Sequence, residues 1–257
     1  MKYAANLSLL WPELPYLDRF DAAAAAGFSA VEILFPYDLA VKETRRALLR
    51  NGLELILINA PPPNYTGGSR GFAAVPGGEA RFRSDMKRVF RYAEALCVSM
   101  IHVMAGEAEG ETARQTFVEN LRWAADAAPS GLMLNIEPLN RTAMPDYFLA
   151  SYNLARKVLE AVDRPNVRLQ YDSYHAQVIH GDAVEVLTDF ADLMSHVQIG
   201  DAPDRSAPGT GSVDFPALFD RLAQLQYDGW IAGEYHPGGS TEKTLGWRQT
   251  PAFHQSE

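Results

Sequence analysis

The stretch Met133–Pro138, MLNIEP, carries the pattern that decides the fold. Apolar residues, interrupted by Asn135, run to Ile136, and an acidic residue, Glu137, follows at once. Pro138 then stops the strand, because proline has no backbone N–H to donate to a neighbour. The pattern predicts a short buried strand that ends in a charged side chain.

Similar short β-rich segments recur along the whole chain, with helical periodicity between them. The predicted strands are Tyr3–Leu7, Ala30–Leu34, Glu54–Ile58, Met100–Met104, Met133–Ile136, Val167–Tyr171, His196–Ile199 and Trp230–Gly233. The predicted helices are Tyr16–Ala26, Val41–Asn51, Glu79–Leu96, Thr112–Ala127, Ser151–Ala161, Ala183–Leu193, Phe215–Leu225 and a short one at Thr241–Arg248. Eight strand–helix alternations without a linker-like break predict an α/β protein, a single (β/α)8 TIM barrel spanning residues 1–257, rather than an open doubly wound sheet.

Composition narrows the class of partner. The formal net charge is -9, with 23 Lys and Arg against 32 Asp and Glu, which argues against nucleic acid as a partner. The single cysteine, Cys97, excludes a disulfide framework and a multi-cysteine zinc site, and its apolar neighbours predict a buried position at a helix end. The chain shows no signal-peptide pattern and no run of 18 apolar residues, so we expect a cytoplasmic protein without a membrane partner.

Oxygen-bearing side chains end four successive predicted strands. They are Glu137, Asp172, Gln198 and Glu234, each about one strand–helix unit from the next. A barrel would bring them together at the end where its chemistry sits. Three carboxylates and an amide oxygen suit Mg²⁺ or Mn²⁺ better than Zn²⁺, and without a cation the carboxylates would repel one another. The alternative is four isolated strand-end groups, but four in succession favour a metal site.

At these residues the chain resembles the hydroxypyruvate isomerase family, which lies within the xylose-isomerase-like barrels and includes 2-oxotetronate isomerases. The resemblance runs nearly end to end. It rests on the segments Tyr3–Ser8, Gly27–Phe28, Phe35–Asp38, Arg70–Gly71, Ile136–Asn140, Tyr171–His175, His196–Gly211 and Gly229–Tyr235. It implies a divalent metal held by Glu137, Asp172, Gln198 and Glu234, with Glu137 and Glu234 as the acid/base pair. The related keto-sugar epimerases differ in two places, since they have histidine at the position of Gln198 and a glutamate at that of Ala143.

The activity expected from this resemblance moves a carbonyl group between adjacent carbons. The substrate would be hydroxypyruvate and tartronate semialdehyde, or the four-carbon 2-oxotetronate, with an enediolate between the two forms. Arg205 and Arg70 are candidates for binding the substrate carboxylate, the alternative for each being a solvated arginine. His175 could donate to a substrate oxygen or to a ligand carboxylate, and Asn59 is a further candidate donor. His102 and Glu32 are interpreted as structural, with Glu32 bracing the barrel mouth.

Two loops and four aromatic residues leave alternatives open. The loop 59–78 could be a lid or an inert excursion. The glycine-rich loop after Gln198 is expected only to turn the chain towards the next helix, because it lacks the strand-to-helix junction of a phosphate site. Aromatic residues that could roof a small substrate, or belong to an apolar rim or a subunit contact in a homo-oligomer, are Trp11, Phe35, Tyr37 and Trp247.

Three other functions fit the sequence less well than the isomerase. A keto-sugar epimerase is disfavoured by Gln198 and Ala143. Metal-dependent phosphodiester cleavage would need several histidine ligands and a basic groove, and the chain has six histidines and a net charge of -9. A catalytically silent sugar-acid binding protein would not need the pair of carboxylates. The sequence fixes neither the substrate's chain length nor the choice between Mg²⁺ and Mn²⁺.

Overall fold

The barrel expected from the sequence is present. The structure is a computed structural model and describes residues 1–60 and 70–248. Eight parallel strands close in chain order, β1 pairing with β8. They are β1 Lys2–Asn6, β2 Ala30–Ile33, β3 Glu54–Asn59, β4 Met100–His102, β5 Met133–Ile136, β6 Val167–Asp172, β7 Met194–Ile199 and β8 Trp230–Gly233. Most of these strand residues are buried, as expected for strands covered by helices on the outside.

Helices connect the strands and form the outer layer. They are α1 Asp18–Ala25, α2 Val41–Asn51, α3 Glu79–Leu96, α4 Gly110–Ala127, α5 Tyr152–Val162, α6 Ser173–His180, α7 Ala183–Asp189 and α8 Phe215–Gln224. Two 3₁₀ helices follow α7 and β8, at Ala191–Leu193 and Thr241–Arg248. No helix in the described ranges is long and apolar enough to cross a membrane.

Helix α6 was missed by the sequence prediction, which placed a loop between β6 and the helix at Ala183. The helix begins directly after Asp172, whose side chain accepts a hydrogen bond from the backbone N–H of Tyr174, 2.8 Å away. An aspartate at the N-cap position is a recognised start signal, so the sequence did carry the information. The cap also fixes the Asp172 carboxylate at the end of β6.

The prediction for Cys97 was wrong, since the residue is exposed. Cys97 ends α3 in the left-handed conformation, with φ 56°. This turn directs its neighbours Leu96 and Val98 into the core and leaves the thiol outside. The apolar neighbours do lie in the core, but the change of backbone direction at the helix end points the Cys97 side chain between them towards solvent.

A layer of buried polar residues crosses the barrel interior. Glu32 on β2 contacts His196 on β7, two strands separated in the barrel by β8 and β1, so the contact must cross the inside. Asn6 and Gln198 bond to the same carboxylate, and all four residues have no exposed surface. This layer lies next to the strand ends that carry the candidate site.

Candidate active site

The structure brings together the four residues expected to bind metal. Glu137 follows β5, Asp172 ends β6, Gln198 lies in β7 and Glu234 follows β8, and all are at least 96% buried. We call these four residues the strand-end cluster. The Gln170 side-chain N–H group links two members, since it donates to Glu137 Oε2 at 2.9 Å and to Gln198 Oε1 at 2.7 Å.

Arg205 is the cation of this cluster. Its Nη2 donates to Asp172 Oδ2 at 2.9 Å and to Glu234 Oε1 at 2.5 Å. Burial acts to lower the pKa of Arg205, but the carboxylates of Glu234, Asp172 and Glu137 together raise it above its usual value. The guanidinium, expected from the sequence to face a substrate carboxylate, is therefore held by the protein's own acids in this structure.

One guanidinium does not offset three buried carboxyl groups. Burial raises the pKa of Glu137 well above its usual range, and the charges of Asp172 and Glu234 raise it further. Burial raises the pKa of Glu234 to about 8, although Arg205 acts in the opposite direction. Glu137 Oε1 and Glu234 Oε2 are buried without a hydrogen-bond partner among the described residues. Buried oxygen atoms that lack partners are costly, so the cluster has the charge and the open lone pairs to take a divalent cation.

The protonation state of His175 follows from its contacts. Its Nδ1 accepts from the backbone N–H of Asn140 at 2.9 Å, and burial lowers the pKa of the ring well below its usual value. A neutral ring that accepts at Nδ1 carries its proton on Nε2. Nε2 lies 4.0 Å from Asp172 Oδ2 and has no hydrogen-bond partner among the described residues. His175 thus presents an N–H donor to the site.

Atoms of Glu137, Asp172 and His175 lie within 4.8 Å of one another, a spacing compatible with a divalent metal. The proton on His175 Nε2 leaves no lone pair there for a metal ion. The oxygen atoms of the cluster are therefore the better ligands, and hard cations such as Mg²⁺ and Mn²⁺ prefer oxygen.

His102 belongs to this site, although the sequence analysis interpreted it as structural. It ends β4, its Nδ1 lies 3.3 Å from Glu137 Oε2, and neither ring nitrogen has a hydrogen-bond partner in the described part of the chain. Burial, with a smaller effect of Arg205, lowers its pKa to about 3. The sequence analysis extended this strand to Met104, whereas β4 ends at His102, so the position of His102 at a strand end was missed.

A cavity of about 140 Å³ opens above these groups. Glu137, Glu234, His102, His175 and Arg205 line it from the strand ends. Asn59, the last residue of β3, also lines the cavity, and the other lining residues come from the loops and include Leu34, Phe35, Arg70, Ala143 and Met144. Two predicted substrate-binding residues, Asn59 and Arg70, therefore reach the same cavity as Arg205 and His175.

Arg70 is exposed, and the segment after it is fixed to the barrel. Gly71 has φ 96°, and a Cβ there would lie 2.1 Å from the carbonyl oxygen of Met104. A Cβ on Gly106 would in turn lie 2.3 Å from the carbonyl oxygen of Gly71. Only glycines allow this crossing of two backbones, which sets Arg70 at the rim. Residues 61–69 of the loop considered as a lid lie outside the described residues.

Only one of the four aromatic residues considered as a roof lines the cavity. It is Phe35. Trp11, Tyr37 and Trp247 are buried in the core instead. For example, the indole N–H of Trp247 donates to the Tyr235 hydroxyl at 3.1 Å.

The glycine-rich loop, residues 200–213, does more than turn the chain. Its backbone surrounds the Asp201 carboxylate with five N–H donors, at 2.7–3.0 Å, from Ala202, Gly209, Thr210, Gly211 and Val213. A Cβ on Gly211 would lie 2.7 Å from Asp201 Oδ1, so the carboxylate fills the space. The loop is an anion cradle, as its glycines suggest, but the anion is part of the chain. We call residues 200–213 the Asp201 loop.

The fold and the site define a class of protein. The closed parallel barrel carries, at its strand ends, a cluster of acids whose negative charge is only partly neutralised, and this is a TIM-barrel enzyme whose site can take a metal ion. Comparison with known proteins gives the particular family. The model of the xylose isomerase-like TIM barrel family matches residues 20–256.

Similar proteins match over nearly their whole length. A 2-oxo-tetronate isomerase of Cupriavidus necator is 43% identical, covering 96% of each chain. A hydroxypyruvate isomerase of Escherichia coli is 38% identical, covering 96% of this chain and 98% of that one. A crystal structure from Brucella melitensis, described as an AP endonuclease of family 2, superposes with a TM-score of 0.93 at 41% identity, covering 98% and 99% of the two chains.

The chain therefore belongs to the xylose isomerase-like TIM barrel family, in the branch that holds the hydroxypyruvate and 2-oxo-tetronate isomerases. It is an isomerase, which confirms the class of enzyme and the family expected from its sequence.

Proposed function

We propose that the protein interconverts hydroxypyruvate and tartronate semialdehyde, or acts in the same way on the four-carbon 2-oxotetronate, with a divalent cation held by Glu137, Asp172, Gln198 and Glu234. The observation that carries this proposal is the pair of glutamates beside the cavity. Glu137 and Glu234 each have a buried oxygen without a partner among the described residues. Both line one small cavity, from β5 and β8.

The reaction needs two proton-transferring groups. A proton leaves C3 of hydroxypyruvate, its electron pair forms a double bond to C2, and the C2 oxygen takes the negative charge, which gives an enediolate. A proton added to C2, with transfer of the C3 hydroxyl proton to the C2 oxygen, then gives tartronate semialdehyde. One glutamate takes the first proton and the other supplies the second, and the roles exchange in the reverse direction.

The raised pKa values of both carboxyl groups support this role. Burial raises the pKa of Glu234 to about 8 and that of Glu137 well above its usual range. A more basic carboxylate is a better match to a weakly acidic carbon–hydrogen bond. A divalent cation bound to the cluster would lower both pKa values and offset the negative charge of the enediolate.

Other cavity residues account for recognition of a small hydroxy acid. The His175 Nε2–H donor faces the cavity and suits a substrate oxygen, and the Asn59 side chain lies at the end of β3 beside it. Arg70 and Arg205 line the cavity as well. Arg70 binds the substrate carboxylate, and Arg205, whose Nη2 is held by Asp172 and Glu234, contributes through its other terminal nitrogen, Nη1. The relatives named hydroxypyruvate isomerase and 2-oxo-tetronate isomerase indicate the class of acid, and a volume of about 140 Å³ suits an acid of three or four carbons.

The test is an isomerase assay on both acids. The purified protein is stripped of metal with a chelator, supplied with Mg²⁺ or Mn²⁺, and incubated with hydroxypyruvate or 2-oxotetronate, and the product is followed by proton NMR. We expect conversion of at least one acid, lost on chelation and restored by metal. Tight binding without conversion of either acid would replace the proposal by a sugar-acid binding protein.

The same metal-loaded protein is also tested on two kinds of comparison substrate, keto-sugars and a DNA duplex with an abasic site. Ala143 lines the cavity where the epimerases place a glutamate, so we expect no epimerisation of keto-sugars. The name of the Brucella structure raises strand cleavage as an alternative, and the net charge of -9 opposes binding of a DNA backbone. Activity on either substrate above that on both acids would overturn the proposal.

A further inference from the structure

We propose that Glu32, on the opposite side of the barrel, is the positioning residue that turns the Gln198 amide so that its oxygen, and not its nitrogen, faces the cation. The inference rests on the proposed function, in which Gln198 supplies one ligand oxygen. It gives a role to a buried acid that the sequence analysis interpreted only as a brace for the barrel mouth.

The two ends of the Gln198 amide have opposite partners. Its Nε2 donates to Glu32 Oε2 at 2.9 Å, and its Oε1 accepts from the side-chain N–H of Gln170 at 2.7 Å. Glu32 Oε2 also accepts from Asn6 Nδ2, so this oxygen is an acceptor and takes the NH₂ end of Gln198. An amide oxygen has two lone pairs, and the bond from Gln170 leaves one of them for a cation.

Glu32 can direct the amide because it is itself held firmly. Its Oε1 contacts His196 Nε2, and its Oε2 accepts from Asn6 Nδ2 at 3.2 Å. The orientation of Asn6 is fixed in turn, since its Oδ1 accepts from the backbone N–H of Ser8 at 3.0 Å. Glu32, Asn6 and His196 have no exposed surface, so water does not compete for these bonds.

A reversed amide would be penalised at both ends. The Gln198 oxygen would face the Glu32 carboxylate, acceptor against acceptor, and its NH₂ group would face the Gln170 side-chain N–H, donor against donor. A cation attracts the amide oxygen only once it is close, so in the metal-free protein the direction of the amide is set by its hydrogen-bond partners. The neutral ligand therefore depends on a partner outside the site, in the way that groups behind metal ligands commonly orient them.

The first test removes the directing charge. Glu32→Gln keeps the shape of the side chain but offers an amide that can donate or accept, so both orientations of Gln198 become acceptable. Binding of Mn²⁺ to metal-free protein is measured by the loss of the free-ion electron paramagnetic resonance signal, without substrate. We expect affinity to fall by about 10- to 100-fold, the usual effect of removing a group that orients a ligand.

Ser195→Ala is the matched control. It lies on the same strand and loses a hydrogen bond of similar length, the 2.7 Å bond from the Ser195 hydroxyl to Asn135 Oδ1, without touching Gln198. Thermal unfolding of each variant reports on folding. If this control loses as much Mn²⁺ affinity as Glu32→Gln, the effect is general loosening of the barrel and the inference is wrong.

The second test exchanges the two groups. In the double variant Glu32→Gln with Gln198→Glu, the carboxylate at position 198 has no wrong end and can accept from the amide at position 32. The total charge is unchanged, which protects folding if Glu32→Gln alone is unstable. We expect Gln198→Glu to raise Mn²⁺ affinity far more in the Glu32→Gln background than in the wild type, where it would set two carboxylates side by side.

The outcomes separate this inference from the proposed function. If wild-type protein binds Mn²⁺ and isomerises an acid while Glu32→Gln binds Mn²⁺ equally well, the inference is wrong and the function stands. Equal effects of Gln198→Glu in both backgrounds would also overturn it. If the wild type binds no Mn²⁺, both the metal proposal and this inference are wrong.

Discussion

Two groups of buried carboxylates lie at or just after the ends of barrel strands and differ in their hydrogen-bond partners. The first group is Asp201 alone, and the second is the three acids of the strand-end cluster. Asp201 accepts five backbone N–H donors within its own loop. The carboxylates of the strand-end cluster share one guanidinium, and two of their oxygens have no partner among the described residues. Both groups are almost completely removed from water.

The difference shows what each group is for. A carboxylate whose oxygens are satisfied by fixed N–H dipoles needs nothing further, and it stabilises the fold. Buried carboxyl groups left partly unpaired cost free energy, and their pKa values are displaced towards the neutral acid. Such displaced groups gathered in a cavity indicate function. The comparison therefore assigns structure to the Asp201 loop and chemistry to the strand-end cluster.

The largest expected effect is on turnover when the cluster loses an acid. Glu137→Gln should lower kcat by about 1,000-fold, since it removes a proton-transferring group. The thermal unfolding temperature of the metal-free variant should not fall, because a buried carboxyl group repelled by Asp172 and Glu234 is gone. If the variant keeps a tenth of the wild-type rate, Glu137 is not a proton-transferring group, and the functional distinction between the strand-end cluster and Asp201 fails.

Asp201→Asn should show the reverse pattern. An amide cannot accept five N–H bonds, and one end of it would place donors against donors, so we expect a loss of about 3 kcal/mol in the free energy of unfolding. Urea denaturation measures it. Asp214→Asn is the control, since Asp214 only caps α8 through the Ala217 N–H and asparagine caps equally well. Equal losses in the two variants would contradict the structural role of the Asp201 cradle.

Binding of Mn²⁺ should raise the unfolding temperature through the strand-end cluster and not through Asp201. A ligand that binds only the folded protein stabilises it by about 2.7 kcal/mol at 100 times its Kd. Calorimetry with Mn²⁺ should show a rise in the unfolding temperature of wild type and of Asp201→Asn, but none for Asp172→Asn. An equal rise in all three proteins would place the metal outside the cluster.

The smallest effect is expected where carboxylates stay in water. Asp126 pairs with Arg164 on the surface, with 59% of the Asp126 side chain exposed. Because solvent screens such a pair, Asp126→Asn should leave both the unfolding temperature and turnover unchanged. A measurable change in the unfolding temperature or in turnover would show that an exposed ion pair matters as well, so that burial would not be what distinguishes the carboxylates of this protein.

The sequence predicted the barrel and the strand-end cluster for one physical reason. Strand periodicity and the polar residue that ends each strand are local signals, and chain order then determines which strand ends meet. Asp172 and Glu234 could be placed at the same end of the barrel in this way, although Arg205 between them could not.

Interactions across the barrel and within irregular loops were not predictable. Glu32 was interpreted as a brace at the mouth, because nothing local shows that His196 and Gln198 reach it from β7. The anion of the glycine-rich loop was missed for a similar reason. Asp201 lies inside the motif it fills, and composition cannot tell an internal carboxylate from an external phosphate.

One measurement tests the central claim, that one strand-end glutamate takes a proton from C3 of the substrate and the other delivers a proton to C2. The metal-loaded protein is incubated with hydroxypyruvate in D₂O, in parallel with Glu137→Gln, and the carbon-bound hydrogens are followed by proton NMR. We predict that deuterium replaces the C3 hydrogens and enters C2 of the product with the wild type, and that the exchange is lost in Glu137→Gln. Product in which the hydrogen taken from C3 appears at C2, or equal exchange in the variant, would contradict the account.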